Sequence, residues 1–226
     1  MTITIATIVR NEEKFLPKAL ECWTKLSDRI VAVDNGSTDA TSDILAEFGC
    51  EVHPYSTVMD GNETECRQVL WQTATKDSDW VVFADADHCF AGDFRPHLHG
   101  RRVAFPVFDM WSATHYRSDT WWIVRPWWQA VNVSDIADFE WVWPTRGWHS
   151  GHVPLNTDVF GVQYEIPREC GMLHYGYATP EARERHFRAY VARRAHLTPT
   201  ELMHARTIMD PRPNLAELPF KPSWTL

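Results

Sequence analysis

Short apolar runs that end abruptly in polar side chains recur through the first ninety residues, and that pattern limits the fold more than any other feature. Residues 3–9, "ITIATIV", give way to Arg10, Asn11 and Glu12. Residues 29–34, "RIVAVD", end in Asp34 and Asn35. Residues 80–86, "WVVFADA", carry Asp85 and run into Asp87. The runs are rich in β-branched and aromatic residues and too apolar for strands with a wet face, so they read as central strands of a parallel sheet.

The segments between them have helical spacing. Phe15, Leu16, Ala19, Leu20 and Trp23 give a buried face to a helix expected over 12–26, with Asn11 as its cap and Pro17 tolerable only near its start. "NGSTDATSDILAEF" predicts a turn and then a helix capped by Ser37 or Thr38. "CEVHPY" predicts a strand, and residues 63–76 a helix. Strand and helix alternating at this rhythm predict a doubly wound α/β sheet with right-handed crossovers. In such sheets ligands sit beyond the carboxyl ends of the strands. The polar groups above therefore share one rim.

The second half has another texture. Trp121, Trp122, Trp127, Trp128, Trp141, Trp143 and Trp148 crowd together with Pro126 and Pro144, which predicts short strands and loops. Most of these rings read as packing, with one of each adjacent pair free to form a platform for a sugar or base. Thr179 and Pro180 announce a helix through "EARERHFRAYVARRA", whose arginines read chiefly as a solvated face. The proline-dotted tail after 198 is expected to run extended over the surface. The expected organisation is a single domain over 1–226: a regularly alternating half (1–100), a Trp-rich half (101–198) and a tail (199–226).

Composition narrows the function. With 226 residues, 44% of them apolar, the chain can bury one sizeable α/β core. Mean hydropathy is −0.36, and no run approaches the roughly 18 apolar residues of a membrane span. The N-terminus lacks the basic and small-residue features of a signal peptide. Five scattered cysteines without a CxxC pair indicate neither a zinc knuckle nor a disulfide framework. A cytoplasmic location is the resulting expectation. The net charge of −8 disfavours a broad grip on nucleic acid, and any bound anion would need a cation to offset the acids.

"DNGSTD" alone is ordinary turn chemistry, and "DAD" alone could open a solvated loop; their arrival at successive strand ends points to a site. Together, "ITIATIVRNEEKFLPKALE", "RIVAVDNGSTDAT" and "WVVFADAD" resemble the nucleotide-sugar-binding half of a family 2 glycosyltransferase of GT-A fold, over roughly residues 3–90. "LHYGYATPEARERHFRAY" resembles the C-terminal segment of a compact bacterial and viral-type subgroup, and "FDMWSATHYRSDTWW" and "RGWHSGHVP" share its flavour. The resemblance implies a Rossmann-like, mostly parallel sheet with flanking helices and a Trp-rich acceptor half.

It also implies roles. Asp85-Ala86-Asp87 matches the DXD motif, with Asp87 binding Mn²⁺ or Mg²⁺ and Asp85 facing the ribose or sugar. His174 matches a second metal ligand, the other reading being an interior histidine. Asp34 and Asn35 match an acidic pair that reads base and ribose, Asn35 being a departure from two acids. Thr7, Arg10, Asn11 and Glu12 would line the nucleotide, and Arg67 matches a helix arginine near the donor. An inverting displacement needs a base for the acceptor hydroxyl. The candidates are Asp109, Asp119, Asp135, Asp138, Glu140, Asp158, His149 and His152, with His152 and Asp109 favoured. The implied partners are a nucleotide-diphosphate sugar and an acceptor that is a glycan, a lipid or a hydroxylated DNA base. Two alternatives stand beside this reading. A sugar-1-phosphate nucleotidyltransferase would want a glycine-rich loop after strand one, which "TIVRNEEKF" lacks. A catalytically inactive nucleotide- or glycan-binding module would have little use for both Asp85 and Asp87.

Overall fold

The computed structural model describes residues 1–55, 63–119, 121–134, 140–143, 152–160 and 162–224, excluding the side chains of 158–160 and 196. Asp135, Asp138, Pro144, Trp148, His149 and the Asp158 side chain lie outside the described residues.

The first half alternates as expected: β1 (Ile3–Val9), α1 (Leu16–Trp23), β2 (Arg29–Asp34), α2 (Thr41–Glu47), β3 (Glu51–Pro54), α3 (Thr64–Ala74) and β4 (Trp80–Phe83). These strands pair in parallel in the order β3-β2-β1-β4. Alternation within each run splits the core into two layers. Ile3, Ile5, Trp80 and Val82 face Leu16, Leu20 and Trp23, while Ala6, Val31, Val33, Val81 and Phe83 face Leu70 and Trp71 of α3. Both faces are covered, which is why the strands read as nearly unbroken apolar runs.

The sheet then continues through β5 (His88–Phe90), β6 (Arg102–Asp109), β8 (Arg125–Asn132), β9 (Gln163–Glu165) and β10 (Met172–His174). Beyond β4 the order is β8-β6-β10-β5, with β9 also on β6. β8 is antiparallel to both neighbours, so β6 and β10 again point the same way as β4. A separate two-stranded sheet joins β7 (His115–Arg117) to β11 (Leu215–Glu217). No helix among the described residues is long and apolar enough to cross a membrane.

Local expectations about caps need correcting. Asn11 does not cap α1; Phe15 holds that position without a side-chain bond, and the helix is shorter than 12–26. Asn11 instead adopts a left-handed φ of 55° and accepts the Thr38 N–H at 2.8 Å, tying the first two strand ends together. Neither Ser37 nor Thr38 caps α2, whose first N–H, on Thr41, goes to Asp39 at 3.0 Å. Pro17 does sit in the first turn of α1.

The tail is the larger correction. Residues beyond 198 include α5 (Pro199–Ile208), which starts with a complete capping box between Thr198 and Glu201. Pro199 is a helix starter there, as Pro180 is for α4 (Pro180–Ala192), where the Thr179 hydroxyl accepts the Ala182 N–H at 3.1 Å. Arg117, 1% exposed, then fastens the tail: it pairs with Asp119 at 2.8 Å and Asp210 at 3.3 Å, and lies over the Trp111 and Trp122 rings.

Candidate active site

Three adjacent strands build the centre of the site by register. β10 pairs His174 with His88 on β5, and on its other side pairs His174 with Asp109 on β6. One row across the sheet therefore reads His88, His174, Asp109. Just before β5, the turn that follows β4 carries Asp85 and Asp87, and the Asp87 carbonyl accepts the Tyr175 N–H at 2.9 Å. The DXD-like turn is thus pinned to the strand that bears His174.

The side chains converge. Asp109 Oδ1 accepts from His174 Nδ1 at 2.7 Å, and His174 Nε2 lies 3.4 Å from Asp87 Oδ2. His88 Nε2 lies 3.8 Å from Asp87 Oδ1 and 3.9 Å from Asp85 Oδ2. His152 Nε2 reaches Asp85 Oδ1 at 3.1 Å. All these residues line one cleft of about 980 Å³, together with Arg10, Glu12, Arg67, Ala86, Trp121, Trp127 and Trp128.

Electrostatics follow from this crowding. Burial opposes charge on Asp87, yet His174 beside it holds the carboxyl below the usual range. Burial likewise opposes charge on Asp85, and His152 outweighs it; 46% of that side chain stays open, so solvent in the cleft screens the pair. Burial alone would keep His174 neutral, but Asp87 and Asp109 raise it well above the ordinary histidine value. Burial pushes His88 down to about 4, so it is neutral.

Glu12 bears the strain of this acidic rim. Burial first, then the Asp87 carboxylate, push it up to about 7, and its Oε2 is buried with no hydrogen-bond partner among the described residues. The folded state therefore favours the neutral acid. The cost is absent below pH 4.5, the unperturbed value, grows as pH rises towards 7, and is constant above. Glu12→Gln should thus raise the stability of the metal-free protein at pH 8 by up to about 3 kcal/mol, less whatever solvent screening removes, and leave it unchanged near pH 4.5. Thermal unfolding in EDTA at the two pH values checks this; an equal shift at both would sink it.

The other expected residues are placed as follows. Arg67 faces the cleft from α3, 8% exposed, in an ion pair with Glu63. Asp34, Asn35, Thr7 and Asn11 are not among the lining residues. The Asp34 carboxylate accepts from the Ser37 N–H and hydroxyl at 2.9 and 2.7 Å and from the Ser42 hydroxyl, so it organises the turn into α2. Asn35 is fully buried and donates to the Tyr55 carbonyl. Thr7 is buried within β1. Trp122 is buried and Trp121 half-buried, as one of each pair was expected to be, but Trp127 and Trp128 are both half-buried and both line the cleft. On α4, Arg183 is structural, donating to the Tyr177 carbonyl at 2.7 Å, while Arg188 is exposed.

His88 and His186 were not anticipated. Asp87, His88 and His174 each offer a ligand atom within 4.8 Å of the others. The donor set suits a divalent cation: a carboxylate whose Oδ1 is buried with no hydrogen-bond partner among the described residues, and an imidazole whose Nδ1–H is held by a carboxylate, so that Nε2 is the nitrogen that would give up its proton to a metal. The sequence offered no local signal for either histidine.

Comparison with known proteins agrees with this architecture. Residues 4–101 match the family model described as glycosyl transferase family 2. S. aureus TarS superposes over 92% of this chain at 16% identity with a TM-score of 0.58, and this chain spans 42% of that one. The TarS 1–349 structure matches over 92% of this chain at 17% identity and TM-score 0.58, with 69% of its own length covered. Identities this low bear on the fold alone. Glucosyl-3-phosphoglycerate synthase from Mycobacterium tuberculosis, in complex with Mn²⁺, UDP and glucosyl-3-phosphoglycerate, is 23% identical over 48% of this chain and 44% of its own, but its TM-score of 0.36 carries no argument. No curated protein matches. With the sheet order and the acids at the rim in hand, residues 4–101 of the chain are similar to the family 2 glycosyltransferases, and the fold as a whole is similar to that of TarS.

Proposed function

We propose that this chain transfers a sugar from a nucleotide-diphosphate donor to an acceptor hydroxyl, with inversion and with a divalent cation, Mn²⁺ or Mg²⁺, at the strand rim. The observation that carries the reading is the row in which Asp109 holds His174 and His174 faces Asp87. A bound cation would supply Lewis-acid stabilisation of the charge that grows on the departing diphosphate. Asp87 and His174 are the residues to hold it. Asp109 fixes the His174 ring and its tautomer, which makes it a positioning residue rather than the base expected from sequence. Arg10, Glu12 and Arg67 face the nucleotide side of the cleft. The roles expected for Asp34, Asn35, Thr7 and Asn11 reduce to shaping that side from behind.

His152 is the preferred base. An ionised Asp85 can only accept, so His152 Nε2 carries the proton and Nδ1 keeps a lone pair for the acceptor hydroxyl. Trp121, Trp127 and Trp128 offer ring faces for a sugar on the acceptor side. Glycan, lipid and hydroxylated DNA base all remain within the proposal as acceptors, and the location is proposed to be cytoplasmic.

The deciding experiment incubates the chain with a panel of UDP-, GDP-, CDP- and dTDP-sugars, with and without Mn²⁺. Metal-dependent release of a nucleoside diphosphate is the expected result. Release of pyrophosphate from sugar-1-phosphate and nucleoside triphosphate would instead establish a nucleotidyltransferase. Inertness with every donor would establish a binding module.

A further inference from the structure

An amide buried without a partner destabilises a fold, and Gln129 carries one. The residue is 1% exposed, and neither its Oε1 nor its Nε2 has a hydrogen-bond partner among the described residues. It nevertheless lines the cleft. His174 and His186 line that cleft beside the cation rim, while Gln129 lines it from β8, with Trp128, Val153 and Leu155.

Register brings the amide there. Val103 of β6 pairs with Ala130 and Ala104 with Trp128, so Gln129 is an extra residue with no opposite number on β6. On the other side, the ladder to β4 ends where Ala130 meets Val82. Gln129 comes next, towards the tip of β4 and the Asp85 that His152 contacts. Trp127, Trp128 and Gln129 are consecutive, yet all three line the cleft, whereas a regular strand turns every second side chain to the opposite face. Extra residues of this kind re-aim side chains and recur beside active sites.

We propose that Gln129 is a binding residue for the acceptor, and that the acceptor is a carbohydrate ring whose two neighbouring hydroxyls meet this amide. The inference rests on the sugar-transfer reading above and names the acceptor class for it. A primary amide offers an acceptor oxygen and a donor nitrogen side by side. Two adjacent hydroxyls supply the complementary donor and acceptor, and the C–H face of their ring suits the neighbouring Trp128, over which Arg102 lies at 4.7 Å. The nucleotide side of the cleft, with Arg10, Glu12 and Arg67, comes from β1 and α3, so an amide on β8 among the tryptophans belongs to the acceptor. The net charge of −8 disfavours a DNA acceptor at the same place.

The test uses the full chain with Mn²⁺ and the sugar nucleotide it turns over. The acceptors offered are p-nitrophenyl glycosides of glucose, galactose, mannose and N-acetylglucosamine, an oligonucleotide carrying hydroxymethylcytosine, and a polyprenol in detergent. At least one glycoside should accept the sugar. Gln129→Met keeps the length of the side chain and removes both polar atoms. It should raise the KM of that glycoside at least about tenfold and leave the donor KM within about twofold. Two deoxy analogues of the glycoside, at neighbouring carbons, should each lose at least about tenfold in kcat/KM with the wild type and less than about twofold with the variant. Without any acceptor, Gln129→Met should melt about 2–4 °C higher than the wild type, because it no longer buries an unpaired amide. A lower melting temperature would mean that the free protein already satisfies the amide, and would overturn the assignment. So would a rise in donor KM with the glycoside KM unmoved, or transfer to the oligonucleotide or polyprenol with none to any glycoside. Inertness towards every sugar nucleotide would instead end the transfer reading, and this inference with it.

Discussion

Asp87→Asn should lower sugar transfer on the order of a thousandfold and remove the Mn²⁺-dependent part of nucleoside diphosphate binding. Each factor of ten corresponds to about 1.4 kcal/mol of barrier, and a Lewis acid at a departing diphosphate contributes several kcal/mol. Asn keeps the shape and one acceptor but not the charge. The fold should tolerate it, because the structural bond at this position comes from the backbone: the residue's carbonyl accepts the Tyr175 N–H. A thermal-shift comparison isolates the effect. In the wild type, a nucleoside diphosphate at a hundredfold excess over its dissociation constant stabilises by about 2.7 kcal/mol. That shift should need Mn²⁺ in the wild type and be indifferent to it in the variant. A variant that keeps the full Mn²⁺-dependent shift would remove Asp87 as a ligand, whatever happened to turnover.

The strand half of this site was legible in sequence because its signals are local. "RIVAVD" and "WVVFADAD" state both the burial of the strand and the polarity of its tip, and β2 is Arg29–Asp34 as expected. What could not be read was register. The placement of Asp109 and His88 beside His174 depends on pairing across β5, β10 and β6, segments far apart in the chain. Asp109 was legible as a carboxylate in the right half but not as the partner of His174. His186 was hidden by its own helix, where the surrounding arginines make "RERHFRAY" read as a solvated basic face. The missed helix α5 was a different error. Prolines after 198 were weighed as breakers, although Thr198-Pro199-Thr200-Glu201 holds the same start signal that was recognised at Thr179-Pro180. Proline at the first turn of a helix opens it, and only the neighbouring cap residues distinguish that from a break. Asp34, an acid at a strand end that matched a motif, also accepts from Ser37 and Ser42, which its place in the sequence did not reveal.

His152→Gln should separate the chemistry from the binding. The Gln side-chain amide can reproduce the donor that His152 Nε2 offers to Asp85, 3.1 Å away, but it has no basic nitrogen in place of Nδ1. If Nδ1 takes the acceptor's proton, kcat should fall by about a hundred to ten thousandfold while the donor's KM and the nucleoside diphosphate shift stay near wild type. His152→Ala should do more, because it also leaves the Asp85 carboxylate without its hydrogen-bond partner and loosens the turn that carries Asp87. The difference between the two variants therefore measures how far His152 acts through Asp85 and how far on the acceptor. Acceptors of lower hydroxyl pKa should recover part of the loss in His152→Gln, since a hydroxyl that gives up its proton more readily needs the base less. A Gln variant with wild-type kcat on an unactivated acceptor would leave His152 a holder of Asp85 only. The base would then have to come from another residue of the acceptor half.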